Sequence, residues 1–135
     1  MISSELKYVA DFCRENWKSR TMKVIEIADA VCENRFLFDM PWDLERTEEK
    51  LCFADKIDWY SRMNGDDEFL YQLNRHGFLY HLAQAFVLTD NSEYAEYFCR
   101  ILQDWIDRVP CDNGKKSPWR SLEVSIRAMN WIKGN

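Results

Sequence analysis

At 135 residues, with 47% hydrophobic and 15% aromatic side chains, the chain is one domain's worth and can bury a real core, which excludes a disordered polymer. Four glycines and three prolines are spread along it, and no stretch of about eighteen uncharged apolar residues occurs, so no membrane span is expected. The formal net charge of -5 is uneven: from Arg108 onward six basic residues stand against two acidic ones, a local +4 that leaves -9 elsewhere, so an anionic ligand would favour the C-terminal third.

Leu6, Val9, Phe12, Cys13 and Trp17 make an apolar stripe, and Val24, Ile25, Ala28, Val31 and Cys32 make a second. Their spacing predicts amphipathic helices over Ser4–Lys18 and Thr21–Asn34. The helical period fades between Arg35 and Gly65, where Phe36-Leu37-Phe38-Asp39-Met40-Pro41-Trp42 suggests a long aromatic connection, with a short helix near Leu44–Lys50. Asp66 or Asp67 caps a predicted helix to about Leu88, its apolar face formed by Phe69, Leu73, Tyr80, Ala83 and Val87. Asp90 with Glu93 resembles a capping box, opening a helix through Tyr94, Phe98, Ile101 and Trp105 that Pro110 stops. The short turn Thr89–Asn91 makes these two an antiparallel αα-hairpin. After an Asn113-Gly114 turn, Ser117 and Pro118 open a last helix from Trp119 to about Lys133. The fold class is all-α, a single domain of helical hairpins without a fixed-period repeat.

Five cysteines, Cys13, Cys32, Cys52, Cys99 and Cys111, are widely separated and contain no CxxC pair, which argues against a disulfide framework and a zinc site. Cys13, Cys32 and Cys99 fall among apolar neighbours at helical spacing and read as reduced core residues. The segment Met1–Leu6 shows no secretory signal, and free thiols favour the cytoplasm. Metal and cofactor are not expected, nor is nucleic acid or a membrane as partner.

The candidate site is a polar run set into an apolar helix, Leu73-Asn74-Arg75-His76-Gly77, followed by His81. On a wheel of about 100° per residue, His76 falls on the apolar face with Phe69, Tyr80 and Val87, whereas Asn74 and His81 share a flank that could border a groove. A histidine on an apolar face is more often a satisfied core residue than a catalyst. Gly77 in mid-helix costs about 1 kcal/mol against Ala and points to close approach of another helix. Arg120, Glu123, Arg127 and Asn130 form a stripe on the last helix. They can bridge one another along the surface, or bind carboxylate or sulfate through guanidinium forks beside Trp119 as a sugar platform.

Taken together, Asp39-Met40-Pro41-Trp42-Asp43-Leu44-Glu45-Arg46-Thr47, Leu73-Asn74-Arg75-His76, Leu82-Ala83-Gln84-Ala85-Phe86-Val87-Leu88-Thr89 and Trp119-Arg120-Ser121-Leu122-Glu123-Val124 with Arg127 resemble the N-terminal domain of heparinase II/III-type polysaccharide lyases, over about Val24 to Ile132. The resemblance implies part of an incomplete (α/α) toroid whose inner helices line a cleft for an acidic polysaccharide, heparan sulfate-like or another uronate polymer. It implies β-elimination on uronic-acid chains, with the remaining toroid helices, a β-sandwich and the catalytic Asn and Tyr motifs downstream of the region matched here. It places Asn74, Arg75, His81, Trp119, Arg120 and Arg127 along the substrate and His76 and Glu123 behind them, with no catalytic residue in this chain. The chain alone is then expected to be inactive, and a fragment with an exposed face could self-associate. The alternative is a non-catalytic helical module that binds acidic glycans or mediates protein assembly.

Overall fold

A computed structural model describes residues 2–41, 43, 46–112 and 117–134. Helix α1 (Ser4–Asn16) starts where the Ser3 side chain accepts a hydrogen bond from the Leu6 amide, and Trp17 breaks it from α2 (Lys18–Cys32). The Thr21 hydroxyl donates to the Cys13 carbonyl across this break, at 3.2 Å, satisfying one of the carbonyls that a helix end leaves open. Asn34, at φ 56°, then turns the chain into β1 (Arg35–Phe36), which pairs antiparallel with β2 (Leu51–Cys52), Phe36 opposite Leu51.

This two-residue ladder is the departure from the helical expectation for the long connection. Arg46 to Lys50 are not helical, while Leu44 and Glu45 lie outside the described residues. The connection is held shut by Thr47, whose amide donates to the Phe38 carbonyl at 2.7 Å and whose hydroxyl accepts from the Phe38 amide.

The helix expected from Asp66 to Leu88 is two helices, α3 (Asp67–Arg75) and α4 (Gly77–Thr89), divided at His76, which is left-handed at φ 60° and ψ 30°. The two halves differ in character. α3 is amphipathic and opens on the Asp66 cap, whose side chain accepts from the Glu68 amide. α4 carries no charged residue and touches α1, α2, α5 and α6, the position that a helix apolar on every side must take. Because the break precedes Gly77, this glycine opens a helix rather than interrupting one. A methyl group there would meet only the Asn130 amide nitrogen at 3.9 Å, so close packing does not demand glycine.

Asp90, also left-handed at φ 56°, closes α4, and Asn91 rather than Asp90 caps α5 (Ser92–Arg108), its side chain accepting from the Glu93 amide. The last helix, α6 (Ser121–Gly134), begins two residues later than expected, since Ser117 is spent on a local turn with the Trp119 amide. The Asn113-Gly114 turn lies outside the described residues.

Six α-helices and one minimal ladder make the described part an all-α fold. The core runs from Ala28, Val31 and Phe36 through Trp59, Leu73, Leu79 and Leu82 to Ile101 and Trp105. Of the cysteines expected inside, Cys13 and Cys32 are half-buried and Cys99 is exposed, because it lies on the outer side of α5. No described helix is long and apolar enough to cross a membrane, and no described group of His, Cys, Asp and Glu is arranged to hold a metal ion.

Candidate functional site

The α3–α4 break leaves the carbonyls at the end of α3 without partners from its own helix, and α6 supplies them. Arg127 donates from one guanidinium nitrogen to the Asn74 carbonyl at 2.8 Å and to the Pro118 carbonyl at 3.0 Å, and the Asn130 amide donates to the Arg75 carbonyl at 2.8 Å. Trp131 donates its indole N–H to Nδ1 of His76 at 2.9 Å. Residues 127, 130 and 131, one turn of α6, thus grip residues 74, 75 and 76 in order.

Three further elements meet at the same place. Asn74 is fully buried: its amide nitrogen donates to the Trp59 and Leu70 carbonyls at 2.7 and 2.8 Å, and its oxygen accepts from the Trp105 indole at 2.7 Å. His76 packs among Trp59, Phe78, Trp105 and Trp131, with centroid separations of 5.0 to 5.9 Å. The Arg127 guanidinium lies over Trp105 at 4.4 Å and near Trp119 at 5.0 Å. Beside it runs a chain of charges: Glu68 accepts from Arg75 at 2.6 Å, Arg75 donates to Glu123 at 2.9 Å, and Arg120 grips Glu123 at 2.7 and 2.9 Å while lying 3.6 Å over Tyr71. Glu123 has no exposed surface. Burial pushes its carboxyl up, but the Arg120 and Arg75 hydrogen bonds outweigh that and hold it below the usual value.

On the other side of the α3–α4 break lies an open cavity of about 600 Å³, between α2, the segment after β1, the start of α4 and α6. Arg75 and His81 line it, together with Gln72 and Asn130 and the aromatic rings of Phe38 and Tyr80. Arg75, Gln72 and His81 are each at most 5% exposed, so the inner wall is polar and held in place rather than solvated.

Burial lowers the pKa of both histidines: His81 falls to about 4, with the Gln84 hydrogen bond and Asp39 acting in the opposite sense, and His76 falls well below 6.5, with Arg127 adding to the effect. Both are neutral at pH 7. Because the unfolded chain binds these protons near pH 6.5 and the folded chain does not, stability is greatest above that pH and falls as pH drops from 6.5 toward 4. Urea midpoints measured at pH 7 and pH 5 are expected to differ, the lower belonging to pH 5. Imidazole NMR signals should show neither histidine half-protonated at pH 6.

The sequence singled out Asn74 and His81 as neighbours on one flank. His81 borders the cavity, but Asn74 does not, because the wheel assumed one continuous helix and the turn at His76 rotates α4 against α3. Of the other residues placed along a substrate, Arg75 lines the cavity, whereas Trp119, Arg120 and Arg127 do not. Trp119 packs against Trp105, the rings tilted with centroids 5.4 Å apart, and donates to the Val109 carbonyl. Glu123 bridges Arg120 as its spacing suggested, yet its second partner is Arg75, not Arg127, and the pairing is internal rather than along the surface. His76 is a core residue, though set at a helix break. Among the described residues, the basic side chains of the C-terminal third do not gather into one anion-binding face: Arg108, Arg120 and Arg127 bond to backbone or carboxylates and Lys133 lines the cavity, while Lys115 and Lys116 lie outside the described residues.

Glu68, Tyr71, Gln72 and Trp59 belong to these constellations and were not singled out. Glu68 stands seven residues before Arg75, two turns along the same face of α3, a spacing that could have suggested the pair. Trp59 sits in the aperiodic connection and carried no signal.

No curated protein and no solved structure matches the chain. The family model described as heparinase II/III N-terminus matches residues 10–133, a span that includes the polar junction of α3 with α6 and every wall of the cavity. By that match over nearly its whole length, this chain belongs to the heparinase II/III N-terminal family.

Proposed function

We propose that the chain forms the substrate-cleft wall of a polysaccharide lyase that cleaves uronic-acid-containing glycosaminoglycans, or a related acidic polysaccharide, by β-elimination, as part of an (α/α) toroid. The observation that carries this reading is the cavity beside the α3–α4 break, with Arg75 and His81 in its buried wall and aromatic rings beside them. Family membership supports it. In this reading Arg75 and His81 contact substrate. Asn74, Trp119, Arg120 and Arg127 hold the wall from behind, and His76 and Glu123 position them.

β-Elimination needs a group that neutralises the uronate carboxylate, a base for the C5 proton and an acid for the leaving oxygen, each within hydrogen-bond reach of the sugar. Asn74 and Glu123 have no exposed surface and spend their polar atoms on internal bonds, and His76 is enclosed by four rings. In this reading Asn74, His76 and Glu123 support a binding wall and are not the proton-transfer groups. Incubated alone with heparan sulfate the chain should yield no unsaturated-uronate absorbance, and a steady rise in that absorbance would overturn this assignment.

A second reading, a non-catalytic helical module for glycan binding or protein assembly, is favoured by Leu122, Met129 and Ile132, which stand exposed at helical spacing on α6. Concentration-dependent mass in light scattering would favour assembly.

A further inference from the structure

The indole nitrogen of Trp131 can only donate, so its bond at 2.9 Å to Nδ1 of His76 fixes the imidazole as the tautomer protonated at Nε2. A second proton has no place there, because Nδ1 already faces an N–H. Nε2 is buried without a hydrogen-bond partner among the described residues, so nothing there welcomes a charge either. The rings packed on the imidazole, Trp59 from the connection, Phe78 from α4, Trp105 from α5 and Trp131 from α6, carry no charge. On α3, Asn74 is neutral and the Arg75 guanidinium is held by Glu68 and Glu123. Among the described residues the charged group that bears on the ring is Arg127, a second cation. A protonated His76 in this setting is relieved only by reaching water.

The part of the shell most easily moved is the last turn of α6. Upstream of it, Glu123 is gripped by Arg75 and Arg120, and Arg127 by the Asn74 and Pro118 carbonyls. Beyond Arg127 the described fastenings are the Asn130 bond to the Arg75 carbonyl, the Trp131 bond to His76 and Gly134 against Phe98, where a methyl group would meet the ring at 3.1 Å. Met129 and Ile132 stand exposed and Trp131 is half-buried, so this turn can open without the rest of the fold. We propose that His76 is an acid-sensitive latch for it: a proton taken up at Nδ1 breaks the Trp131 bond and frees residues 128 to 134, while the turns carrying Glu123 and Arg127 stay docked. Met129, Asn130 and Lys133 line the cavity, so release takes away part of one wall. Only that bearing on binding rests on the glycan-cleft reading above.

The test is amide hydrogen exchange of the 135-residue chain without ligand at pH 7 and pH 5, each rate corrected for its intrinsic value. An imidazole exposed by opening takes its proton near pH 6.5 and the closed one only well below, so protection of the amides of residues 131 to 134 should fall about tenfold or more. Amides of α4 and α5 should lose less, and Glu123 keeps its charge across this window. His76→Asn, which suits the left-handed backbone and cannot titrate, should abolish the acid dependence. Trp131→Phe keeps a ring on His76 but removes the donor. In that variant the turn should already be loose at pH 7, and the His76 midpoint in imidazole NMR should rise toward 6.5. Equal losses across α4, α5 and α6 overturn the latch, as does acid dependence that survives His76→Asn. If His76→Asn does not fold, an unmoved His76 midpoint in Trp131→Phe overturns it. With no ligand present, failure here leaves the glycan-cleft reading standing.

Discussion

Glu123→Ala should unfold at a far lower urea concentration than the wild type, with a loss of about 3–5 kcal/mol. The carboxylate is fully buried and is the shared partner of two arginines, of which Arg75 is only 5% exposed. Removing it leaves the Arg75 guanidinium inside the protein with Glu68 alone to offset its charge, and an uncompensated buried charge is among the costliest single changes. Against a typical total of about 5–15 kcal/mol this is a large fraction. Replacing both partners with apolar residues, as in Arg75→Met with Glu123→Leu, should cost less than the sum of the single changes, because the two most deeply buried charges leave together and only Glu68 and Arg120, both with some solvent contact, lose a partner. A double variant as unstable as that sum would show that the pair does not act as a unit. Since the Glu123 carboxyl is held below its ordinary 4.5, its contribution is complete above that pH and is lost as pH falls further, a window below the histidine one.

Asn74→Ala should cost about 3 kcal/mol, for a different reason. The Asn74 amide satisfies the Trp59 and Leu70 carbonyls and the Trp105 indole N–H, all within the core. Truncation orphans the Trp59 carbonyl and the indole donor at about 1–3 kcal/mol for each group left unsatisfied. Asn74→Asp separates hydrogen bonding from volume: it keeps the shape and the acceptor but loses both donors and buries a carboxylate, so it should be worse than alanine at pH 7 and improve as pH falls. Chemical denaturation at two pH values reads this directly. If Asp and Ala proved equal at neutral pH, Asn74 would be filling space rather than bonding.

The helices were legible where one face repeats. Leu6 to Trp17 and Tyr94 to Trp105 lie in helices close to the expected bounds, because apolar periodicity over several turns is a strong signal. The break at His76 was not legible. The residues on either side continue a helical period, and what ends α3 is a set of hydrogen bonds from α6, about fifty residues away, that no local window contains. The ladder of Phe36 with Leu51 was hidden for a similar reason: two residues per strand are too few to show alternation. Of the polar residues that the sequence singled out, Asn74, Arg75, His76, Arg120, Glu123 and Arg127 meet at the junction of α3 with α6, but their direction was not legible. Polar residues in an apolar helix can converge on a ligand or on one another, and here most converge on one another.

The grip of α6 on the end of α3 also bears on how this chain folds. Until residues 127 to 131 are in place, the carbonyls of Asn74 and Arg75 have only water or the next turn of a continuous helix as partners, and the continuous helix is the cheaper choice. During synthesis the N-terminal helices leave the ribosome first, so the segment from Asp66 to Thr89 can exist as one straight rod before the last helix reaches it. Bending that rod requires closing a loop of some fifty residues, which makes the bend a late, long-range event. The cavity begins at this bend, so its walls come together only once α6 has docked.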